Sequence, residues 1–177
     1  MYGLPSYRLR PAQRQLLHSL APLLPAFAER ALVHDREATF PHENVAELRD
    51  LGYLRAAVPT SAGGDERPLG DMVLAQRCIA AACPSTALAL GMHHMLLGME
   101  AAAESWPLAA RRRVFAAVVD EGATINSISA EPELGSPKGG GRPETTFTPL
   151  PGGGYRVEGH KVFCTFSPAL ELLTVYG

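Results

Sequence analysis

The sequence predicts an α+β protein: an N-terminal all-α helical bundle over residues 1–123, followed by a truncated antiparallel β-domain over 124–177. Three observations carry this. Up to about residue 120 the apolar residues recur at three- and four-residue spacing, the period of one buried helix face. From Thr124 the pattern changes to short runs punctuated by Gly and Pro, as strands and turns require. A chain of 177 residues with 46% hydrophobic and 19% charged content is long enough for a real core and has an ordinary globular composition.

The elements follow in order. Leu16, Leu20, Leu23, Leu24, Phe27 and Ala31 form the first helical face, broken or kinked at Pro22, which removes a backbone donor. Phe40-Pro41 opens a second helix, because proline suits a first turn. Val45, Leu48 and Leu51 line its inner face, and Gly52 stops it. Pro59 to Asp65, with Gly63-Gly64, is a turn-rich connector. Further helices are predicted over about 70–82, 85–105 and 107–120, the last ending at Gly122. Strands are expected at Ile125–Ser129 and Thr145–Leu150, then a turn at Pro151-Gly-Gly-Gly154. A half-buried strand carries Tyr155 and Val157, a further short run covers Lys161–Thr165, and Leu170–Tyr176 reads as an apolar core strand. So few strands cannot close a barrel or sandwich, so unpaired edges are expected.

Charge and cysteine usage exclude several classes of function. With 16 Lys+Arg against 18 Asp+Glu the net charge is -2, so no basic face is available to neutralise nucleic-acid phosphates. No run approaches the roughly 18 apolar residues of a membrane span. The apolar stretch Leu16–Phe27 is interrupted by His18, Pro22 and Pro25 and lacks a signal-peptide cleavage context. Cys78, Cys83 and Cys164 cannot all pair and form no Cys-x-x-Cys, which favours a reducing, cytoplasmic setting.

Local chemistry leaves the function open. The glycine run at 139–141 has neither dinucleotide-binding nor P-loop spacing. Arg111, Arg112 and Arg113 point about 100° apart on a helix, so they read as a solvated face. His93 and His94 diverge and have no ligand four residues away on the same face, which argues against a metal. A buried, hydrogen-bonded imidazole is favoured there over a catalytic one. Composition alone reads residues 127–141 as a surface loop after a strand.

A series of short motifs adds more. Asp35-Arg-Glu-Ala-Thr-Phe-Pro41, Leu51-Gly-Tyr53, Val58-Pro59, Gly63-Gly64 and Pro84-Ser-Thr86 precede Glu131-Pro-Glu-Leu-Gly-Ser136 and Gly159-His-Lys-Val-Phe-Cys-Thr165. In order and spacing over residues 35–165 this series resembles the acyl-CoA dehydrogenase family of flavoproteins. The last two segments are similar to the family's Thr-Glu-Pro-x-x-Gly-Ser-Asp and Gly-x-Lys-x-Trp-x-Thr.

The resemblance implies that residues 1–123 are the family's N-terminal helical domain and 124–177 part of its middle β-domain, with the C-terminal helical bundle absent. It implies FAD in the crevice between these domains, an acyl-CoA or other acyl-thioester substrate, and a homo-oligomer or a complementing C-terminal chain. Carried over by position, Ser127, Ile128, Ser129, Ala130 and Ser136 line the flavin, and Ser136 also faces the thioester. Phe163, Cys164 and Thr165 cover the other flavin edge, with the Thr165 hydroxyl near the redox-active nitrogen.

Three departures mark a divergent branch. Ala130 stands where the family has a flavin-contacting threonine, Pro137 where it has aspartate, and Phe163 where it has tryptophan. The family's catalytic glutamate belongs to the C-terminal bundle, so no catalytic residue is named in this chain. The implied function is an FAD-dependent oxidoreductase acting on the CH–CH group of an acyl thioester, with this portion expected to be inactive alone. The alternatives are a flavin-dependent monooxygenase on the same fold, with His93 or His94 positioning the oxygen, and a non-catalytic remnant or partner subunit.

Overall fold

Pro22 interrupts the first helical run where the sequence places the break. In the computed structural model, which describes residues 9–133 and 142–177, α1 (Pro11–Leu20) and α2 (Leu24–Glu37) meet at 50°. Leu16, Leu20 and Phe27 are buried. The turn rotates the second face against the first, leaving Leu23, Leu24 and Ala31 only half-buried. In α3 (His42–Asp50), Val45 and Leu48 point inward, and Pro41 immediately precedes the helix. Leu51 lies past the last turn and is 38% exposed, which corrects its expected place on the inner face.

Two short 3-10 turns, Tyr53–Arg55 and Thr60–Ala62, lead into the long helices. Gly64 presses so closely on Val58 that a Cβ would collide with its carbonyl. The helices α4 (Leu69–Ala82) and α5 (Pro84–Ala103) pack together, separated in sequence only by Cys83. Finally α6 (Leu108–Ala116) continues as a π-helical turn, Ala117–Glu121, rather than as regular α-helix. Arg49 Nε donates to the Gly122 carbonyl at 2.9 Å, tying α3 to the end of this helical unit. Each fully buried Leu20, Phe27, Leu48, Leu90 and Leu97 contributes about 1.5–3 kcal/mol by leaving water.

Buried polar groups in this unit are placed by its helices. Arg30 Nη1 donates to Asn44 Oδ1 at 2.7 Å, and Asn44 Nδ2 donates to Thr86 Oγ1 at 2.9 Å. The Thr86 hydroxyl donates in turn to Cys83 Sγ at 3.1 Å. This chain links α2, α3 and the start of α5, and it gives the Pro84-Ser-Thr86 motif a structural task. At the other end of α5, Glu100 accepts from the Ser105 hydroxyl and amide at 2.6 and 3.1 Å and from the Trp106 amide at 3.0 Å. Arg111 sits 3.1 Å from Glu104 and 3.8 Å from Glu100 with its side chain 16% exposed. The solvated arginine face therefore reduces to Arg112 and Arg113, because carboxylates on α5 draw Arg111 inward.

The chain divides into two units after Gly122. In the second, β1 (Ile125–Ile128) pairs in parallel with β4 (Leu172–Val175), Ile125 opposite Leu172. The strands β2 (Thr146–Pro149) and β3 (Tyr155–Glu158) form an antiparallel hairpin. The antiparallel expectation thus holds for the hairpin. The β1–β4 pair is parallel because the long chain between them returns to the same end, as a parallel pair requires.

Three local expectations are corrected here. Lys161–Thr165 is not a strand, since positive φ angles at Phe163 and Phe166, 59° and 77°, break the extended path. Tyr155 and Val157 are 61% and 46% exposed rather than half-buried. Tyr155 meets Phe147 edge-on across the hairpin with ring centroids 6.2 Å apart, and one such contact leaves most of each ring in solvent. With Leu173 45% exposed, β4 is a half-buried strand rather than a core strand. Among the described residues no single helix is long and apolar enough to cross a membrane.

Candidate functional site

The described sequence-predicted site residues fall on two stretches of the second unit, 127–130 and 163–165, which hydrogen bonds link across the fold. Ser127 and Ile128 end β1, and Ser129 and Ala130 follow it. Ser127 is exposed, while Ile128, Ser129 and Ala130 are half-buried. Phe163, Cys164 and Thr165 form a tight turn in which the Thr165 amide donates to the Phe163 carbonyl and Ser167 to the Cys164 carbonyl, each at 3.2 Å. Ser136 lies outside the described residues.

Specific bonds join the two stretches. Asn126 Nδ2 donates to the Thr165 carbonyl at 2.7 Å, and the Val162 amide donates to the Ala130 carbonyl at 3.1 Å. Lys161 Nζ bonds Glu131 Oε1 at 2.7 Å and reaches the Ser129 carbonyl at 3.3 Å. Glu131, 3% exposed, also accepts from the Thr145 hydroxyl at 2.6 Å and from the Glu144 and Thr145 amides at 2.7 and 3.0 Å. Gly159 makes this approach possible, since a Cβ there would overlap the Thr145 side chain.

Phe163 and Phe166 share a turn but have opposite fates. Phe166 is buried, 3% exposed, whereas the Phe163 ring is 92% exposed. Both hold left-handed backbone angles, which cost a non-glycine residue of order 1–3 kcal/mol and concentrate at functional sites. An apolar ring held out in this way, two residues before the half-buried Thr165, suits a planar ligand surface.

The electrostatics of this wall bear on two of its titratable groups. Hydrogen bonds from Lys161, the Thr145 hydroxyl and the Glu144 amide outweigh burial and hold the Glu131 carboxyl at about 2, so it stays ionised. Burial pushes the Cys164 thiol up, so it is no ready nucleophile. The wall can bind and orient, but neither of these groups is set to move a proton.

His93 and His94 both lie inside the helical unit. His93 Nε2 bonds the Leu54 carbonyl at 2.8 Å, and the His94 ring packs edge-on to Tyr53 with centroids 4.8 Å apart. Burial, then the neighbouring His93, hold the His94 pKa well below its usual value, so it is neutral. Both nitrogens of His94 and the Tyr53 hydroxyl are buried with no hydrogen-bond partner among the described residues. Among the described residues no group of three His, Cys, Asp or Glu side chains is placed to hold a metal.

In the sequence Glu131 and Lys161 stand only as letters of the two motifs, and Asn126 and Thr145 only as strand residues. One signal was present: the chain has only two lysines, and one of them sits between Gly159 and an aromatic run.

Comparisons with known proteins extend this. Residues 11–106 match the family model described as acyl-CoA dehydrogenase, N-terminal domain. A protein of Bacillus subtilis (strain 168) named "Putative acyl-CoA dehydrogenase YdbM" is 36% identical over 166 residues, 92% of this chain and 42% of that protein. The amino sugar nitrososynthase DnmZ of Streptomyces peucetius is 41% identical over 83 residues, 46% of this chain and 20% of its own length. Among solved structures, KijD3 in complex with FMN and dTDP-3-amino-2,3,6-trideoxy-4-keto-3-methyl-D-glucose superposes with a TM-score of 0.78 at 29% identity. That match covers 96% of this chain and 41% of KijD3. This chain therefore spans well under half the length of each of these relatives.

Proposed function

From the premise that the chain belongs to the acyl-CoA dehydrogenase family, we propose that it is the cofactor-holding portion of a flavin-dependent oxidoreductase acting on the CH–CH group of an acyl thioester. The observation that carries the reading is Phe163, a large ring 92% exposed on a strained backbone. It stands within the Gly159–Thr165 motif, next to Val162, whose amide bonds the Ala130 carbonyl. In this reading residues 1–123 are the family's N-terminal helical domain and 124–177 the start of its middle β-domain.

The residues present fit a flavin. Phe163 would pack against the ring system, and Ser127, Ser129 and the Thr165 hydroxyl would offer it hydrogen bonds. Ile128, Ala130 and Cys164 would supply close, uncharged wall, and the family pattern assigns Ser136, outside the described residues, to both the flavin and the thioester. A bound flavin supplies the two-electron acceptor for the oxidation. The chain's own groups orient it, exclude water from one face and leave proton abstraction to residues elsewhere. FAD is the form proposed from the family, and FMN is the alternative that KijD3 raises. The acyl-thioester substrate, and a homo-oligomer or complementing C-terminal chain, belong to the same proposal.

Titration of FAD and of FMN with the chain, read by flavin fluorescence, tests this. Quenching by wild type and its loss in Phe163→Ala are expected. Wild-type chain that leaves the fluorescence of both flavins unchanged refutes the reading.

A second reading, a flavin-dependent monooxygenase on the same fold, draws on the likeness to DnmZ and KijD3 and on Ala130, which lacks a hydroxyl. His93 and His94 do not strengthen it, because both rings face the interior of the helical unit. Oxygen consumption with reduced flavin in the complete enzyme separates the two readings.

A further inference from the structure

We propose that Glu131 and Lys161 are positioning residues that set the spacing between the two cofactor-facing stretches, 127–130 and 163–165. The proposal rests on the flavin reading above. Its basis is topological as well as local. Neither strand pair spans the two stretches: β1 pairs with β4, and β2 with β3. Among the described residues, 129–131 are joined to 161–162 by the Lys161–Glu131 ion pair at 2.7 Å, the Lys161 bond to the Ser129 carbonyl and the amide bond from Val162 to Ala130, beside the Asn126 bond to the Thr165 carbonyl at the other end.

The pair is built to hold one geometry. The Lys161 side chain is 9% exposed and that of Glu131 3%. Both carboxylate oxygens are engaged, Oε1 by Lys161, the Thr145 hydroxyl and its amide, and Oε2 by the Glu144 amide. A buried carboxylate satisfied on every side has little freedom to shift, and removing one partner strands the other. Ala130 directly precedes Glu131, and Phe163 lies two residues beyond Lys161. A displacement at the pair is therefore passed to both walls at once. Glu131 stays ionised throughout and touches no reacting atom, so its part is placement and not proton transfer.

The test uses the full chain with Glu131→Gln, Lys161→Met and the conservative Lys161→Arg. Hydrogen exchange at the Val162 and Thr145 amides reports the join directly, and titration with FAD and FMN reports the site. Circular dichroism at the helix band serves as the check on the helical unit. In Glu131→Gln and Lys161→Met, exchange at Val162 is expected to quicken and flavin to bind roughly tenfold more weakly, as small misplacements of a positioned wall do. Lys161→Arg keeps both near wild type.

Unchanged Val162 exchange in both disruptive variants overturns the proposal, as does wild-type flavin affinity despite fast exchange. If a disruptive variant loses the whole second unit, Lys161→Arg decides: wild-type exchange and binding support the positioning role, and loss of either overturns it. If wild-type chain binds no flavin, the flavin reading fails, whereas Val162 exchange still tells whether the pair holds the two stretches together.

Discussion

Replacing Thr86 with Val removes one hydroxyl from a fully buried polar chain and keeps the side-chain shape. Asn44 and Thr86 are both 0% exposed, and Asn44 Nδ2 has the Thr86 oxygen as its partner at 2.9 Å. Without that oxygen the amide donor is stranded, at a cost of about 1–3 kcal/mol. The extra buried methyl group offsets about 0.8 kcal/mol of this. The expected net loss is about 1 kcal/mol and no more than about 2, or roughly 4–8 °C in the unfolding midpoint per kcal/mol for a domain near 100 residues. Thermal and urea unfolding followed at the helix band read this change in the helical unit. Asn44→Leu combined with Thr86→Val removes both partners, so the double variant is expected to be less unstable than the sum of the two singles, with a coupling of about 0.5 kcal/mol or more. A Thr86→Val variant as stable as wild type, or strictly additive single costs, would refute the stranded-donor reasoning.

Other expectations follow from the same structure. His94 is buried neutral, so the unfolded chain takes up a proton near pH 6.5 that the folded chain does not. Stability of the helical unit is therefore constant above that pH and falls by up to about 1.4 kcal/mol per pH unit below it, until the lowered folded pKa is reached. His94→Phe flattens that slope in pH-dependent unfolding, and an unchanged slope counts against the assignment. Glu131 has the same sign in a lower window: its stabilisation is complete above the ordinary carboxylate value of 4.5 and is lost progressively as pH falls from there to about 2, so hydrogen exchange in the second unit is expected to be unchanged by this group at about pH 6 and to quicken between about pH 4 and 2. Glu100→Ala uncaps the Ser105 and Trp106 amides and is expected to cost about 1–3 kcal/mol in unfolding experiments. Phe163→Ala is expected to leave stability within about 0.5 kcal/mol, because its ring is 92% exposed, while removing flavin quenching. A large stability loss there would mean the ring packs against protein instead.

The α-then-β order, the break at Pro22, the turn at Pro151–Gly154 and the family are legible in the residues alone. These rest on local signals: a 3.6-residue period, a missing amide hydrogen, glycine in turns, and short motifs in order. The resemblance also assigns Ser127–Ala130 and Phe163–Thr165 to one proposed flavin site. Tertiary structure alone decided how those stretches are held. Lys161 finds Glu131 across 30 positions of sequence, Arg111 is drawn in by Glu100 and Glu104, and the two ends of the second unit pair in parallel. The physical reason is common to all three. A charge or a strand edge states what kind of partner it needs, but the partner is selected by which distant segment the fold brings within bonding distance.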